Sequence, residues 1–169
     1  MGNKAKEAVR DELLMFQQLE VFKFVPNPTE EQKRQALRIH CFLTEKRDGR
    51  IKAHAVADGR SKTRYSEEET YSPTVKLESI MLCSLIDALE KRYVATINIK
   101  GAFLKANVPD DLELIVKMDG ELAKFFVEVN PEFQLNESGA LYLKCLKALY
   151  GHIEAGRLFY DELNYSLTQ

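Results

Sequence analysis

Ile39-His40-Cys41-Phe42-Leu43-Thr44-Glu45, then Lys46-Arg47-Asp48-Gly49-Arg50, then Ile51-Lys52-Ala53-His54-Ala55-Val56-Ala57 is the stretch that decides the fold. Its two arms are rich in β-branched, aromatic and small apolar residues. Asp48-Gly49 between them is a turn dipeptide whose glycine accepts the positive φ of a tight hairpin. The spacing predicts two antiparallel strands, Ile39 to Glu45 and Ile51 to Ala57, closed by Asp58-Gly59. On the N-terminal side, Val9, Leu13 and Phe16 recur at helical spacing and predict an amphipathic helix over residues 3–20. The run stops near Val21 to Val25, before Pro26-Asn27-Pro28, and the helix is followed by a turn. Thr29 stands three residues before Gln32, the spacing of a capping box, and opens a short helix through Leu37. On the C-terminal side, residues 60–70 are polar and read as a loop. Ser72-Pro73-Thr74 then starts a helix whose interior, Val75 to Leu89, is apolar nearly all round and is expected to be buried centrally. Tyr93 to Asn98, Leu112 to Met118 and Leu141 to Leu146 are strand candidates. Phe125 to Val129 fits strand or helix, and Ala155 to Leu167 is a final helix. The order of elements is that of an α+β chain.

Length and composition set the limits. The 169 residues suit one domain or a piece of a larger one, and 45% apolar with 30% charged residues excludes global disorder. Apolar runs such as Ile80 to Cys83 are far shorter than the roughly 20 residues a membrane helix needs. With no apolar leader at the N-terminus, the expected location is intracellular, cytoplasmic or nuclear. Cys41, Cys83 and Cys145 are too far apart in sequence for a zinc motif, and Cys83 and Cys145 lie in apolar runs, so buried reduced thiols are expected.

The net charge of −2 hides a segregation. Between Lys46 and Arg64 stand Lys46, Arg47, Arg50, Lys52, Arg60, Lys62 and Arg64 against Asp48 and Asp58, a local excess of +5. The stretch from Lys105 to Ala140 is acidic. A solvated charged face accounts for such blocks in most proteins; a phosphate-binding patch is the alternative.

Four stretches, in order, carry a resemblance: Lys52-Ala53-His54-Ala55-Val56-Ala57-Asp58-Gly59, Tyr71-Ser72-Pro73-Thr74-Val75, Ile97-Asn98-Ile99-Lys100-Gly101-Ala102-Phe103-Leu104, and Leu146-Lys147-Ala148-Leu149-Tyr150-Gly151-His152-Ile153-Glu154-Ala155. They resemble, respectively, the K-A-R-L-V-A-x-G, F-S-P-V-V, D-V-x-x-A-F-L and L-x-K-A-L-Y-G-L-K-Q-A motifs of the reverse transcriptase domain of Ty1/copia-type retrotransposons. The resemblance implies a right-hand polymerase fold, of which this chain holds the fingers and the first half of the palm. Residues 1–92 would form the N-terminal helix, fingers hairpin and central helix, and residues 93–169 a partial palm. It also implies an RNA-directed DNA polymerase with a template–primer of RNA or DNA as partner and Mg²⁺ as cofactor in an intact member.

Two-metal phosphoryl transfer needs carboxylates to hold two cations about 4 Å apart. In the family one Asp closes the first palm strand and two more come from an aromatic-x-Asp-Asp hairpin beyond the last motif. Asn98 stands at the first position, and the hairpin does not occur before Gln169. The expectation is a catalytically dead, degenerate copy with no intact catalytic residue, no metal site and no cofactor as it stands. Lys52 and Phe103 match nucleotide-binding positions by resemblance: a basic group near the triphosphate, and the aromatic that crowds the sugar 2′ position. An ordinary core phenylalanine would carry the same signature. His54 stands where the family has Arg, Met81 where it has another Arg, and Glu154 where it has Gln; each removes positive charge or adds negative charge. The alternative function is a non-catalytic nucleic-acid-binding module built on Lys46, Arg47, Arg50, Arg60, Lys62 and Arg64. In the family fold Tyr93 to Asn98 would pair with Leu112 to Met118 and leave an unpaired sheet edge, through which the chain is expected to self-associate.

Overall fold

The computed structural model describes residues 2–61, 70 and 72–169. Helix α1 (Asn3–Gln18) turns Val9, Leu13 and Phe16 inward together with Ala5 and Ala8. Strand β1 (Phe22–Phe24) follows, then α2 (Glu30–Gln35), β2 (Leu37–Glu45) and β3 (Ile51–Ala57). Helix α3 (Leu77–Leu89), β4 (Ile115–Met118), α4 (Gly120–Val129), β5 (Leu141–Cys145) and α5 (Ala155–Thr168) complete the regular elements, with 3₁₀ turns at Gly59–Ser61 and Phe103–Lys105.

The five strands form one sheet in the order β1-β5-β4-β2-β3. Its pairs are antiparallel except β2 with β4, which run parallel with Leu37 opposite Val116. The hairpin register sets Ile39 opposite Ala57 and Glu45 opposite Ile51. Gly49 takes φ +78° in its turn, as the Asp-Gly signal requires.

One sheet face carries the core. Leu37, Ile39, Ala53, Ala55, Ala57, Leu114, Val116, Met118, Leu141 and Leu143 pack there under α1 and α4. The small side chains on β3 bring α1 close to the strand, and each large side chain buried here, Leu13 or Phe16 for example, contributes about 1.5–3 kcal/mol. Phe16, Phe22 and Phe126 meet edge to face, with ring centroids 5.3 and 5.8 Å apart. The other face has a small cluster of Ile115, Ala140 and Tyr142, flanked by Val25 and Ala36.

The hairpin, the capping box of Thr29 with Gln32, and the terminal helix form as the sequence predicts. Several expectations are corrected or resolved: α2 ends at Gln35, and Leu37, expected in it, begins β2. Residues 22–24, where the sequence predicts only the end of the helical run, form β1. Of the two readings open for Phe125 to Val129 the structure takes the helix: the segment lies in α4, whose inward Ala123, Phe125 and Phe126 follow helical spacing. Tyr93 to Asn98 is irregular and unpaired: β4 already has β2 on one side and β5 on the other, so it offers no edge to a further strand. Helix α3 forms, but none of its residues is buried; Met81 is 65% and Leu89 74% exposed. The face it would cover is filled by α1 and α4, and Cys83 is consequently exposed while Cys145 is buried. The loop expected over residues 60–70 falls mostly outside the described residues.

Candidate functional site

The four motifs are far apart in sequence and close in space. The chain turns at Tyr150-Gly151, where Gly151 has φ +83°. The Tyr150 carbonyl accepts the Ala57 N–H at 2.7 Å. A Cβ on Gly151 would lie 2.0 Å from the Ala57 carbonyl oxygen, and one on Gly59 would lie 2.4 Å from the Gly151 oxygen. Glycine is therefore required at both positions, for backbone-to-backbone approach in each case and for the left-handed conformation at Gly151. The first and fourth motifs meet here. The third joins through Phe103, whose ring centroid lies 5.1 Å from that of Tyr150, and through the Ala148 N–H, which donates to the Ala106 carbonyl at 2.9 Å. The second joins through Ser72, which packs so closely on Gly156 that a Cβ there would come within 3.3 Å.

Lys52 lies on β3 at the side of an open cleft of about 470 Å³ between α1 and the hairpin. Lys100 and Lys105, on either side of Gly101-Ala102-Phe103, line the same cleft, facing Asp11, Glu12 and Gln18 of α1. None of the three lysines has an ion-pair partner among the described residues, so their charge is available to an anion. Glu12 is held otherwise. Nearly buried, its Oε1 accepts the Ala55 N–H at 3.1 Å and stands 3.5 Å from Nδ1 of His54. The carboxylate thus ties α1 to a strand at the edge of the sheet. Burial, reinforced by the negative charge of Glu12, pushes both the Cys41 thiol and the Tyr150 hydroxyl above their usual ranges. The His54 ring lies 4.5 Å from Tyr150, extending the aromatic row that Phe103 and Phe159 begin.

The remaining predicted site residues are dispersed. Phe103 is half-buried in a 3₁₀ turn, between Tyr150 and Phe159. Arg50 is engaged by Asp48, and Arg60 by Asp58 at 2.7 Å; the Arg60 guanidinium holds the Asp58 carboxyl well below the usual carboxylate range. Lys46 and Arg47 sit exposed at the hairpin turn. Lys62 and Arg64 lie outside the described residues. Asn98 is exposed in the irregular segment before Lys100. Its amide is neutral, and among the described residues no three His, Cys, Asp or Glu side chains stand close enough to hold a metal ion. With an amide in place of the carboxylate, the donors around Asn98 do not fit the Mg²⁺ of an intact polymerase.

Sequence reasoning did not single out Lys100, Lys105, Glu12 or Tyr150. The lysines had a signal, since they bracket the third motif; Glu12 had none, because a polar residue one position from an apolar stripe looks like any helix flank.

The profile described as reverse transcriptase (RNA-dependent DNA polymerase) matches residues 19–169. The chain belongs to this reverse transcriptase family, and the mixed α and β architecture with its five-stranded sheet fits such a domain. No curated protein and no solved structure matches it. Among the described residues no helix is long and apolar enough to cross a membrane.

Proposed function

We propose that the chain is the fingers and first part of the palm of a Ty1/copia-type reverse transcriptase that has lost its polymerase chemistry and keeps a weak hold on nucleic-acid phosphate. The observation that carries this reading is the joint placement of the four motifs around Tyr150-Gly151, with asparagine at the one position in them where the chemistry needs a carboxylate. An amide oxygen keeps the shape of the ligand and none of its charge, so it holds Mg²⁺ far more weakly than a carboxylate. What remains is electrostatic. Lys52, Lys100 and Lys105 share one open cleft, and Phe103, five residues after Asn98, packs beside it against Tyr150 and Phe159.

The basic-segment reading is narrowed in the same proposal. Arg50 and Arg60 are engaged by Asp48 and Asp58, so phosphate attraction on the described residues falls to Lys46, Arg47 and the cleft lysines, with Lys62 and Arg64 of the same segment beside them in sequence. Binding of a template–primer should be insensitive to sequence and steeply salt-dependent, each lost contact lowering the log–log salt slope by about 0.7–0.9. A fluorescence titration of labelled template–primer against salt tests this: Lys52→Ala with Lys100→Ala and Lys105→Ala should lower the slope by about 2–3. An unchanged slope would remove the cleft from the account.

A further inference from the structure

Helix α3 lies on the outside of the fold, and its exposure follows the helical repeat. Leu77, Met81, Leu85 and Leu89, four residues apart, are 57–74% exposed. Ile86 is 38% exposed and the Asp87 side chain 25%, and both lie more than a quarter-turn round the helix from that row. The row therefore faces outward. It is an i, i+4 ridge of long apolar side chains, the element that packs against a second ridge of its kind at a crossing angle of about −50°.

The ridge matches itself when reversed. Turning a second copy of α3 by a half-turn about an axis at the level of residue 83 sets Leu77 against the partner's Leu89 and Met81 against the partner's Leu85. The same operation puts the small residues of this face where space is needed: Ala88 falls opposite the partner's Glu78, and Ser84 opposite the partner's Leu82. The Ser84 hydroxyl donates to the Ile80 carbonyl at 2.8 Å, so covering it strands no polar group. Charge agrees with shape. Glu78 in the first turn and Lys91 just past the last have no ion-pair partner among the described residues, and antiparallel packing brings the start of one helix beside the end of the other. A parallel pair would set Glu78 against Glu78 and Lys91 against Lys91, and would also align the two helix dipoles. The exposed parts of the ridge, of Leu82, and of Tyr93 and Val94 just past the helix amount to roughly 900 Å² per copy, against about 800 Å² given by each partner to an interface of standard size.

We propose that α3 is the interface of a two-fold homodimer, in which the ridges from Leu77 to Leu89 of two copies pack antiparallel and Glu78 of each copy lies near Lys91 of the other. The same patch serves both copies, so association closes at two.

Sedimentation equilibrium of the full chain tests the state, and chemical cross-linking tests the geometry. At about 100 μM, where an interface of standard size is populated, the chain should sediment as a dimer. In a Cys83→Ser background, Leu77→Cys and Leu89→Cys together should be joined by a short bismaleimide into a covalent dimer, because position 77 of one copy meets position 89 of the other. Either substitution alone should give at least tenfold less, since equivalent positions lie about 18 Å apart along the helix axes. The Cys83→Ser parent should give none. Glu78→Lys should weaken the dimer by about three- to tenfold, and adding Lys91→Glu should restore it. A monomer at that concentration, an aggregate that grows beyond two copies, equal cross-linking of the single and double variants, or a charge reversal that Lys91→Glu does not repair would overturn the proposal.

Discussion

Ala57 and Tyr150, 93 positions apart, are joined by a 2.7 Å bond from the Ala57 N–H to the Tyr150 carbonyl, and the glycine after Tyr150 makes that approach possible. Replacing Gly151 by Ala would push a methyl group to 2.0 Å from the Ala57 oxygen in a backbone already at φ +83°. Both the clash and the left-handed strain act against folding, so Gly151→Ala should destabilise the chain by about 3 kcal/mol or more, read as a lowered urea midpoint. A loss below about 0.5 kcal/mol would mean that the two motifs do not touch as described.

The end of α1 gives a change of opposite sign. The Glu20 N–H bonds the Gln17 carbonyl and the Val21 N–H bonds the Phe16 carbonyl, which makes Glu20 the left-handed residue of a Schellman cap. Glycine adopts that conformation without a Cβ penalty. Glu20→Gly should raise stability by about 0.5–1 kcal/mol in thermal or urea unfolding, and a loss would show that the carboxylate stabilises the fold locally.

Thiol chemistry reports on α3. Cys83 on its exposed surface should react with a maleimide at once, and Cys145 only after unfolding. Cys41, half-buried with a raised thiol pKa, should react slowly at neutral pH and faster as pH climbs above the ordinary thiol range. Leu82 and Leu85 on the same helix are more than half exposed, so the surface that would drive self-association is α3 and the segment after it rather than the unpaired sheet edge expected at Tyr93 to Asn98. Leu82→Glu with Leu85→Lys should shift sedimentation toward monomer; protection of Cys83 in a monomeric protein would contradict the exposed placement.

How much of this was legible in the sequence depended on what each signal encodes. The Asp48-Gly49 hairpin, the Thr29 capping box and α5 are local, and local chemistry fixed them. The apolar run Val75 to Leu89 encodes a helix that would be stabilised by a partner, but periodicity does not say which surface is vacant; α1 and α4 had already taken the sheet. Tyr93 to Asn98 has strand-forming residues and no open edge to join. The candidate site divided the same way. Lys52 and Phe103 were visible through their motifs, whereas the cleft shared by Lys52, Lys100 and Lys105 depends on α1 as its other wall, a contact across more than thirty residues that no single stretch contains.

Acid should loosen the hairpin's far end. The Asp58 carboxyl is held well below the usual carboxylate range, chiefly by hydrogen bonds from the Arg60 side chain and backbone. A depressed carboxyl pKa contributes stability above the unfolded value, near 3.9, and loses it as pH falls through the folded value. Asp58→Asn should therefore be less stable than wild type at neutral pH, the two converging in strong acid. A difference that persists unchanged at low pH would assign the role of Asp58 to packing instead of charge.

The central claim is that the reverse transcriptase fold persists here without its polymerase chemistry. Its most direct test is primer extension by the purified chain, on RNA and DNA templates, in Mg²⁺ and in Mn²⁺, with template–primer binding measured in the same samples. The account predicts salt-sensitive binding and no extended primer; extension above a heat-inactivated control would contradict it.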